Sequence, residues 1–356
     1  MTADIAIVGA GVIGCLTAYE VGRRHPDWDI VVLERHAVGS GATAWSAGAR
    51  FPMAATPEHR RLATESDDVF AELAETPAGD FIRPVPMVYV TERDHLDDLR
   101  ARMLLPLREV SPAERDCVEK ILVDMVVRPG EILVTHDAPG FVVSARPLAE
   151  AVLTLCVARG RTELHIGQTV TRIDRNDAGL YRLDTEEGSW HAKRVVLATG
   201  PWALPEIGRS QPHDFPVKGR TKRVAALHTR LPVASNDPMV YFTEDDLFVL
   251  PTSRGAALVS FFRDEWDSNP EELDGRPDSL DLTLGTEVLA SRSQTAADHV
   301  IGGRTFCDLY LPQRLPAVME SPGSPGVVAV LGGSGSGVRL GPALAAQAVR
   351  QVAAHG

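Results

Sequence analysis

Three glycines near the start of the chain have the spacing of a loop that holds a nucleotide diphosphate. Gly9, Gly11 and Gly14 follow a short apolar run and open a segment with helical periodicity. The first glycine permits a tight turn, the second lets the backbone approach the phosphates, and the third lets the helix pack closely on the strand. The helix N-terminus adds N–H groups that carry a partial positive charge. The pattern predicts a dinucleotide site, and the alternative is an ordinary turn between a strand and a helix.

A second apolar run, Ile30 to Leu33, ends at Glu34. A carboxylate at this position can accept hydrogen bonds from ribose hydroxyls and would repel a 2′-phosphate, which argues against NADP. The small residues 39–44 follow, and among them Ser40 and Thr43 can donate hydrogen bonds along a longer dinucleotide. The segment 46–48 (Ser-Ala-Gly) then allows the backbone to approach a flat ring. An NAD dehydrogenase would continue with further strand–helix repeats, so the sequence favours FAD.

The elements that must position these residues follow from apolar patterning. Strands are predicted at 87–91, 131–135, 195–198 and 326–331, and a hairpin is predicted over 248–262 with its turn at Arg254 and Gly255. Helices are predicted at 93–107, 148–159 and 342–353. The acid- and proline-rich segment 264–281 is predicted to be a surface loop.

Composition excludes several other classes of protein. The 356 residues carry a net charge of −12, which argues against a nucleic-acid surface. The four cysteines are widely spaced, so neither a disulfide framework nor a metal site is expected. No apolar run approaches the roughly 20 residues of a membrane-spanning helix. Only four of the 36 basic residues are lysines, which we interpret as the codon bias of a GC-rich bacterial genome. A soluble, cytoplasmic location is expected.

Several further stretches carry a resemblance to a known family. They are Glu34-Arg35, residues 39–48, Ser144-x-Arg146-Pro147-Leu148, residues 195–202 (VVLATGPW), residues 216–220 (PVKGR) and residues 332–342 (GGSGSGVRLGP). Together with the first glycine loop, they make the chain resemble the D-amino-acid oxidase superfamily of flavoproteins, which includes glycine oxidase and monomeric sarcosine oxidase. The resemblance covers nearly the whole chain.

This resemblance implies an α/β fold with two domains. A Rossmann-type FAD-binding domain is expected from residues 1–80, 146–215 and 301–356. A substrate domain with a mostly antiparallel sheet is expected from residues 81–145 and 216–300.

The resemblance also implies which residues bind FAD. The second glycine loop, 332–337, is expected to lie against the pyrimidine end of the flavin, where its N–H groups stabilise negative charge at N1–C2=O. The full expected set is Gly9, Gly11, Val12, Ile13, Gly14, Glu34, Arg35, Ser40, Ala42, Thr43, Ser46, Ala47, Gly48, Val170, Thr199, Gly200, Trp202, Cys307, Gly332, Gly335, Ser336, Gly337 and Val338. Some sarcosine-oxidase-like members attach FAD covalently through a cysteine near the position of Cys307. The alternative, a small buried thiol, is the commoner state of a free cysteine and is favoured.

The resemblance implies that catalysis consists mainly of positioning the substrate for hydride transfer. A small amino acid or amine, including a cyclic or secondary one, would lose hydride from its amine-bearing carbon to flavin N5 and become an imine, and oxygen would take the electrons to give hydrogen peroxide. Arg339 and Arg50 are predicted as the pair that grips the substrate's carboxylate, with Tyr241 and Arg304 as further catalytic candidates. For each arginine the alternative is an ion pair with a surface acid.

Two other functions stay open. The chain could be a dehydrogenase or electron-transfer subunit that hands electrons to a partner, or a non-catalytic FAD-binding module. Some oxidases of the group use a lysine near the flavin to help oxygen react, but the 248–262 hairpin has none, and Lys218 and Lys222 are the nearest. No nucleic acid or membrane partner is expected, and a monomer or homodimer is predicted with a hetero-oligomer left open.

Overall fold

The structure is a computed structural model that describes residues 2–202, 204, 206, 207, 215–252 and 255–355. Arg254, the predicted hairpin turn, lies outside these residues. The strands are β1 Thr2–Ala3, β2 Ile5–Val8, β3 Ile30–Glu34, β4 Ala49–Arg50, β5 Ile82–Val85, β6 Met87–Glu92, β7 Arg108–Glu109, β8 Glu131–Thr135, β9 Gly140–Val143, β10 Thr162–Ile166, β11 Val170–Arg175, β12 Tyr181–Thr185, β13 Gly188–Ala192, β14 Val195–Leu197, β15 Glu206–Ile207, β16 Arg220–Thr229, β17 Met239–Phe242, β18 Leu247–Pro251, β19 Ala257–Ser260, β20 Val300–Tyr310, β21 Ala317–Glu320 and β22 Val327–Leu331. The helices are α1 Val12–Arg24, α2 Ala42–Trp45, α3 Pro57–Ala74, α4 Leu96–Arg102, α5 Pro112–Ile121, α6 Ala145–Ala158, α7 Ser279–Ala290, α8 Gln294–Asp298 and α9 Gly337–Ala353.

A six-stranded sheet carries the first glycine loop. Its order is β10-β3-β2-β14-β22-β21, and every neighbouring pair is parallel except β21 with β22. The central strands are apolar along their whole length and fully buried, as expected for parallel strands covered on both faces. This order, with the first strand in the centre, confirms the predicted Rossmann-type arrangement.

Helices α1, α6 and α9 cover one face of this sheet. α1 packs against both α6 and α9, and all three contribute to one apolar core with β2, β3 and β22. On the other face, β2, β14 and β22 pack against a five-stranded sheet of order β1-β13-β12-β11-β15. The parallel sheet is therefore fixed from both sides, and the loops at the carboxyl ends of its strands are held in place.

A second large sheet is mostly antiparallel. Its order is β20-β16-β19-β18-β17-β6-β8-β7, with β17 and β6 as its one parallel pair. One face of this sheet forms an apolar core with α5, α7 and α8. Three short strands, β4, β9 and β5, form a small antiparallel sheet. The mixed α/β fold with a mostly antiparallel second sheet agrees with the prediction.

Three predicted boundaries are wrong. The helix expected over 93–107 is a short 3-10 turn at Arg93–His95 followed by α4, and Met103 leaves the helix to form a bridge with Met53. The last helix begins five residues before Pro342, at Gly337, and carries the proline in its interior. The segment 264–281 is not a surface loop throughout, because its last three residues begin α7.

The predicted domain division stays a prediction. Strand β20 pairs along its length with β16 in the large antiparallel sheet, so we propose that the second part of the substrate domain extends to about residue 310.

Among the described residues, no helix is both long and apolar enough to cross a membrane.

Candidate active site

One cavity of about 620 Å³ lies between the two large sheets. One wall is made of the loops that follow β2, β3, β14 and β22, at the carboxyl ends of parallel strands, where α/β folds bind ligands. The other wall is a face of the antiparallel sheet. The predicted FAD residues that line this cavity are Gly9, Gly11, Val12, Ile13, Glu34, Arg35, Ser40, Ala42, Thr43, Ser46, Ala47, Gly48, Val170, Thr199, Gly200, Trp202, Gly332, Gly335, Ser336, Gly337 and Val338.

The first glycine loop has the close contacts that its residue types suggest. Gly9 has a φ of +97°, and a Cβ there would come 2.6 Å from the carbonyl oxygen of Ala198. Gly14 does not line the cavity. A Cβ on Gly14 would lie 1.9 Å from the carbonyl oxygen of Gly9, so only glycine lets α1 start this close to β2. The hydroxyl of Thr43 accepts the N–H of Val12 at 3.0 Å and ties α2 to the loop.

Glu34 is held rigidly at the end of β3. Its two carboxylate oxygens accept the N–H groups of Ala10 at 2.7 Å and His36 at 2.8 Å. Glu34 lines the cavity, and after these two bonds its carboxylate keeps unused lone pairs that can accept from hydroxyl donors. The guanidinium of Arg35 lies 5.1 Å from the ring centroid of Trp202, so a cation and an indole flank the same end of the cavity.

The second glycine loop turns between β22 and α9. Gly332 and Gly335 have φ values of +68° and +73°, in the region that favours glycine. The N–H of Gly335, which is predicted to serve the flavin, donates to Oδ2 of Asp308 at 2.7 Å. The first-turn N–H groups of α9, which begins at Gly337, have no acceptor within their own helix and remain the predicted donors.

Strand β20 presents alternate residues to the cavity. Arg304, Phe306, Asp308 and Tyr310 line it, as strand geometry requires of residues two apart. Cys307 therefore faces the other side of the strand, and its thiol donates to the carbonyl of Ser268 at 3.3 Å. The structure does not bring Cys307 to the cavity, so its inclusion among the cofactor-binding residues is corrected.

Arg339 lies in the first turn of α9 and lines the cavity. Its two terminal nitrogens donate to the carbonyl of Met53 at 2.9 Å and to the hydroxyl of Ser336 at 2.8 Å. Within the part of the chain that the structure describes, no carboxylate lies within 4.0 Å of it, and its Nε has no partner. Burial and the charge of Arg50 lower the pKa of Arg339 to about 10, although the charge of Asp67 acts in the opposite direction.

Arg50 does not join Arg339 at the cavity wall. Only 5% of it is exposed, it forms an ion pair with Asp67 of α3, and its guanidinium lies 5.0 Å from the ring centroid of Phe141. The structure therefore does not bring Arg50 and Arg339 together at the cavity wall, because Arg50 is paired with Asp67.

Arg304 and Tyr241 both line the cavity. Arg304 donates to the carbonyl of Ser46 at 3.1 Å, its Nε has no partner among the described residues, and burial lowers its pKa to about 10. The hydroxyl of Tyr241 donates to Asp246 at 2.9 Å, and burial raises its pKa. The ring of Tyr241 packs with Phe51 and Phe248, so this part of the wall is aromatic.

Sequence reasoning did not single out His59 or Asp308, and it named Lys222 without placing it at the cavity; all three residues line it. Lys222 of β16 is 6% exposed, and its ammonium lies 4.0 Å from the ring centroid of Phe262. Asp308 is its direct neighbour on the adjacent strand β20. Burial raises the pKa of Asp308 to about 6, although two hydrogen bonds from backbone N–H groups act to lower it. Period-two alternation along the two long strands could have suggested Lys222 and Asp308, whereas no local pattern marks His59.

The cavity fits the cofactor that the sequence predicts. It combines a glycine cradle at a helix N-terminus, a fixed carboxylate for a ribose, and a second glycine turn at another helix N-terminus. The chain matches the family described as DAO, FAD dependent oxidoreductase, over residues 4–351. The protein therefore belongs to this family, and it is an FAD-dependent oxidoreductase.

Two of the curated proteins to which the chain is similar are named as amino acid oxidoreductases. The glycine oxidase of Geobacillus kaustophilus (strain HTA426) is 27% identical over 274 residues, which are 72% of this chain and 69% of that protein. A D-amino acid dehydrogenase of Neisseria meningitidis is 29% identical over 137 residues, 37% of this chain and 30% of that protein.

Solved structures share the fold. The crystal structure of the Geobacillus kaustophilus glycine oxidase has a TM-score of 0.79 at 20% identity, covering 99% of this chain and 95% of that one. NikD, described as an unusual amino acid oxidase, has a TM-score of 0.78 at 18% identity over 99% and 94% of the two chains. L-proline dehydrogenase from P. horikoshii has a TM-score of 0.79 at 17% identity over 98% and 92%. At these identities the likeness shows the fold alone.

Proposed function

We propose that this protein oxidises the C–N bond of a small amino acid or carboxylate-bearing amine to an imine, with oxygen as the electron acceptor and hydrogen peroxide as product. The observation that carries this proposal is Arg339, a guanidinium on the cavity wall whose donors meet only neutral oxygens in the described structure. Asp67 is the acid whose charge reaches Arg339, but it is already paired with Arg50. A partly buried cation whose counter-ion is shared in this way favours an anionic ligand.

The position of Arg339 also supports a carboxylate anchored beside the cofactor. It lies two residues after Gly337, where the second glycine loop becomes α9. Its planar fork can give two parallel hydrogen bonds to a carboxylate, and the bonds to Met53 and Ser336 hold the fork in one orientation. A substrate fixed at its carboxylate has its α-carbon at a defined distance from this loop.

When bound, FAD supplies the acceptor for the hydride that leaves the amine-bearing carbon. The residues of this chain then have three tasks. Arg339 orients the substrate, and the N–H groups at the start of α9 stabilise negative charge that develops in the cavity. The aromatic wall of Tyr241, Phe248 and Phe51 excludes water, which strengthens both electrostatic effects.

Lys222 supports oxygen as the acceptor. Burial lowers its pKa, and its ammonium lies within 5.5 Å of the ring centroids of Phe262, Trp266 and Tyr310. A cation facing the cavity lowers the energy of the negative charge that oxygen acquires when it takes an electron. The rival function, a dehydrogenase that passes electrons to a partner, would leave Lys222 without this role.

The test compares Arg339→Met with Arg350→Met, an exposed arginine on the same helix that pairs with Glu65. Amino acids and cyclic amines are mixed with each FAD-loaded protein without oxygen, and loss of the visible band of oxidised flavin is followed. We expect wild type and Arg350→Met to be reduced by the same amino acid, and Arg339→Met to be reduced at least 100-fold more slowly at low substrate. Admission of air should then yield peroxide.

Three results would contradict the proposal. If Arg339→Met is reduced as fast as wild type, Arg339 does not anchor the substrate's carboxylate. Reduction without peroxide, but with electrons passed to an artificial dye, would replace the oxidase with a dehydrogenase. A protein that no substrate reduces would be an FAD-binding module without catalysis.

A further inference from the structure

His59 is a buried polar residue on the cavity wall that the proposed reaction does not use. It lies in the first turn of α3, where the hydroxyl of Thr56 accepts its backbone N–H at 3.1 Å. Only 8% of the residue is exposed, and neither ring nitrogen has a hydrogen-bond partner among the described residues. Buried polar side chains almost always have a partner. Two unpaired nitrogens on one ring at a cavity wall therefore suggest that a ligand supplies one.

The surroundings of His59 define what that ligand group can be. Burial and the charge of Arg339 both lower the pKa of His59, so the ring is neutral and has one N–H donor and one bare nitrogen. The backbone carbonyl of Arg314 acts in the opposite direction, but it does not complete a hydrogen bond to the ring. The same positive charge attracts a carboxylate to this end of the cavity and repels an ammonium group.

The sequence predicts that Arg50 binds the substrate's carboxylate together with Arg339, but Arg50 is paired with Asp67. We propose that His59 takes this place: its N–H donates to one carboxylate oxygen of the substrate while Arg339 binds the other. This inference rests on the proposed function. It assigns His59 as a specificity-determining residue that favours substrates with a free carboxylate over simple amines.

His136 offers a matched control. It is equally buried, at 5% exposed, but it does not line the cavity. Its ring nitrogens contact the carbonyl of Ala138 and the hydroxyl of Tyr89. A substitution at His136 therefore loses internal hydrogen bonds, while a substitution at His59 is expected to lose ligand binding.

The experiment uses the FAD-loaded protein and acetate as a carboxylate that cannot be oxidised at a C–N bond. Binding is read from the perturbation of the flavin spectrum, with ethylamine as the probe that lacks a carboxylate. His59→Phe keeps an aromatic ring of similar size without donors and should weaken acetate binding about tenfold. Wild type and His136→Gln should bind acetate equally, and ethylamine should distinguish none of the proteins.

Outcomes for the two proposals differ. If Arg339→Met binds acetate as tightly as wild type, or wild type does not bind it, the proposed function fails. If Arg339→Met loses acetate while His59→Phe binds it within twofold of wild type, only the role of His59 fails. If His59→Phe does not retain FAD, His59→Leu is used in its place. We expect His59→Leu to bind acetate about tenfold more weakly than wild type, and binding within twofold of wild type would overturn the inference.

Discussion

The carboxylate of Asp308 accepts the N–H of Gly335 at 2.7 Å, which joins the antiparallel sheet to the second glycine loop. This contact links the two walls of the cavity, together with the hydrogen bond from the N–H of Ser334 to the carbonyl of Leu309. Asp308 has no carboxylate-to-cation contact within 4.0 Å among the described residues, although Lys222 stands opposite it in the neighbouring strand. Because the ammonium of Lys222 is among aromatic rings, the acid is stabilised by backbone N–H groups alone.

Asp308 should make stability depend on pH. Burial raises its pKa from 3.8 to about 6, so its ionisation in the folded state costs free energy that the unfolded state does not pay. The wild-type stability should fall as pH rises from 4 through 6, by at most about 3 kcal/mol at 1.36 kcal/mol per pKa unit. Asp308→Asn should be more stable than wild type at pH 8 and equal to it near pH 3.5. Urea unfolding of the FAD-free protein measures this.

The surface acid Asp267 serves as control for that measurement. It pairs with Arg220 in solvent, and this pairing lowers its pKa, so Asp267→Asn should not gain stability at pH 8. A pH-independent difference between Asp308→Asn and wild type would show that Asp308 does not titrate as described.

Gly14→Ala should abolish FAD uptake. The added Cβ would lie 1.9 Å from the carbonyl oxygen of Gly9, so the helix must move away from the loop. Overpacking of this kind costs about 1–3 kcal/mol or more. On the same helix, Gly22→Ala meets only the flexible end of Arg159 at 3.4 Å and should retain wild-type FAD content. FAD bound after purification is the measurement, and yellow Gly14→Ala protein would contradict the account of the loop.

FAD should be held without a covalent bond. Cys307 faces away from the cavity and donates to the carbonyl of Ser268. Precipitation with trichloroacetic acid should therefore leave all yellow colour in the supernatant, and Cys307→Ala should bind as much FAD as wild type. If the colour stays in the pellet of wild type but not of Cys307→Ala, FAD is attached to Cys307, and the face of β20 that carries Cys307 lines the cavity.

The segment 264–281, predicted as a loop, ends at the buried carboxylate of Asp281, which stabilises the fold by pairing with two arginines. Asp281 is fully buried and accepts from Arg223 at 2.5 Å and from Arg263 at 3.0 Å. Asp281→Ala would leave two poorly exposed guanidinium groups without this partner, and should cost about 3–5 kcal/mol of the free energy of unfolding. Arg100→Ala removes an exposed ion pair with Asp97 and should cost about 1 kcal/mol or less. Equal losses would contradict the assignment.

Local patterns made much of the fold predictable. The first glycine loop and Glu34 lie within one strand–helix–strand unit, so their spacing along the chain determines their positions in space. The second glycine loop follows a buried strand in the same way. Apolar patterning predicts that the last helix starts at Pro342, but α9 starts five residues earlier, at Gly337, where the second glycine loop ends.

Contacts between distant elements were not predictable. The ion pair of Arg50 and Asp67 depends on α3 packing beside β4, and nothing in either segment specifies that packing. Likewise, which face of β20 lines the cavity depends on its pairing with β16. A one-residue shift in that pairing would exchange Asp308 for Cys307. Cys307 was proposed from the family resemblance, which does not specify this pairing, and Asp308 was not proposed.

The most direct test of the proposed reaction is anaerobic reduction of the FAD-loaded wild-type protein by matched pairs of compounds that differ only in a carboxylate, such as alanine with ethylamine, sarcosine with dimethylamine, and proline with pyrrolidine. We predict that at least one amino acid bleaches the oxidised flavin band while its partner amine, at the same concentration, does so at least 100-fold more slowly. If the amine bleaches the band as fast as the amino acid, substrate is not held by its carboxylate at Arg339.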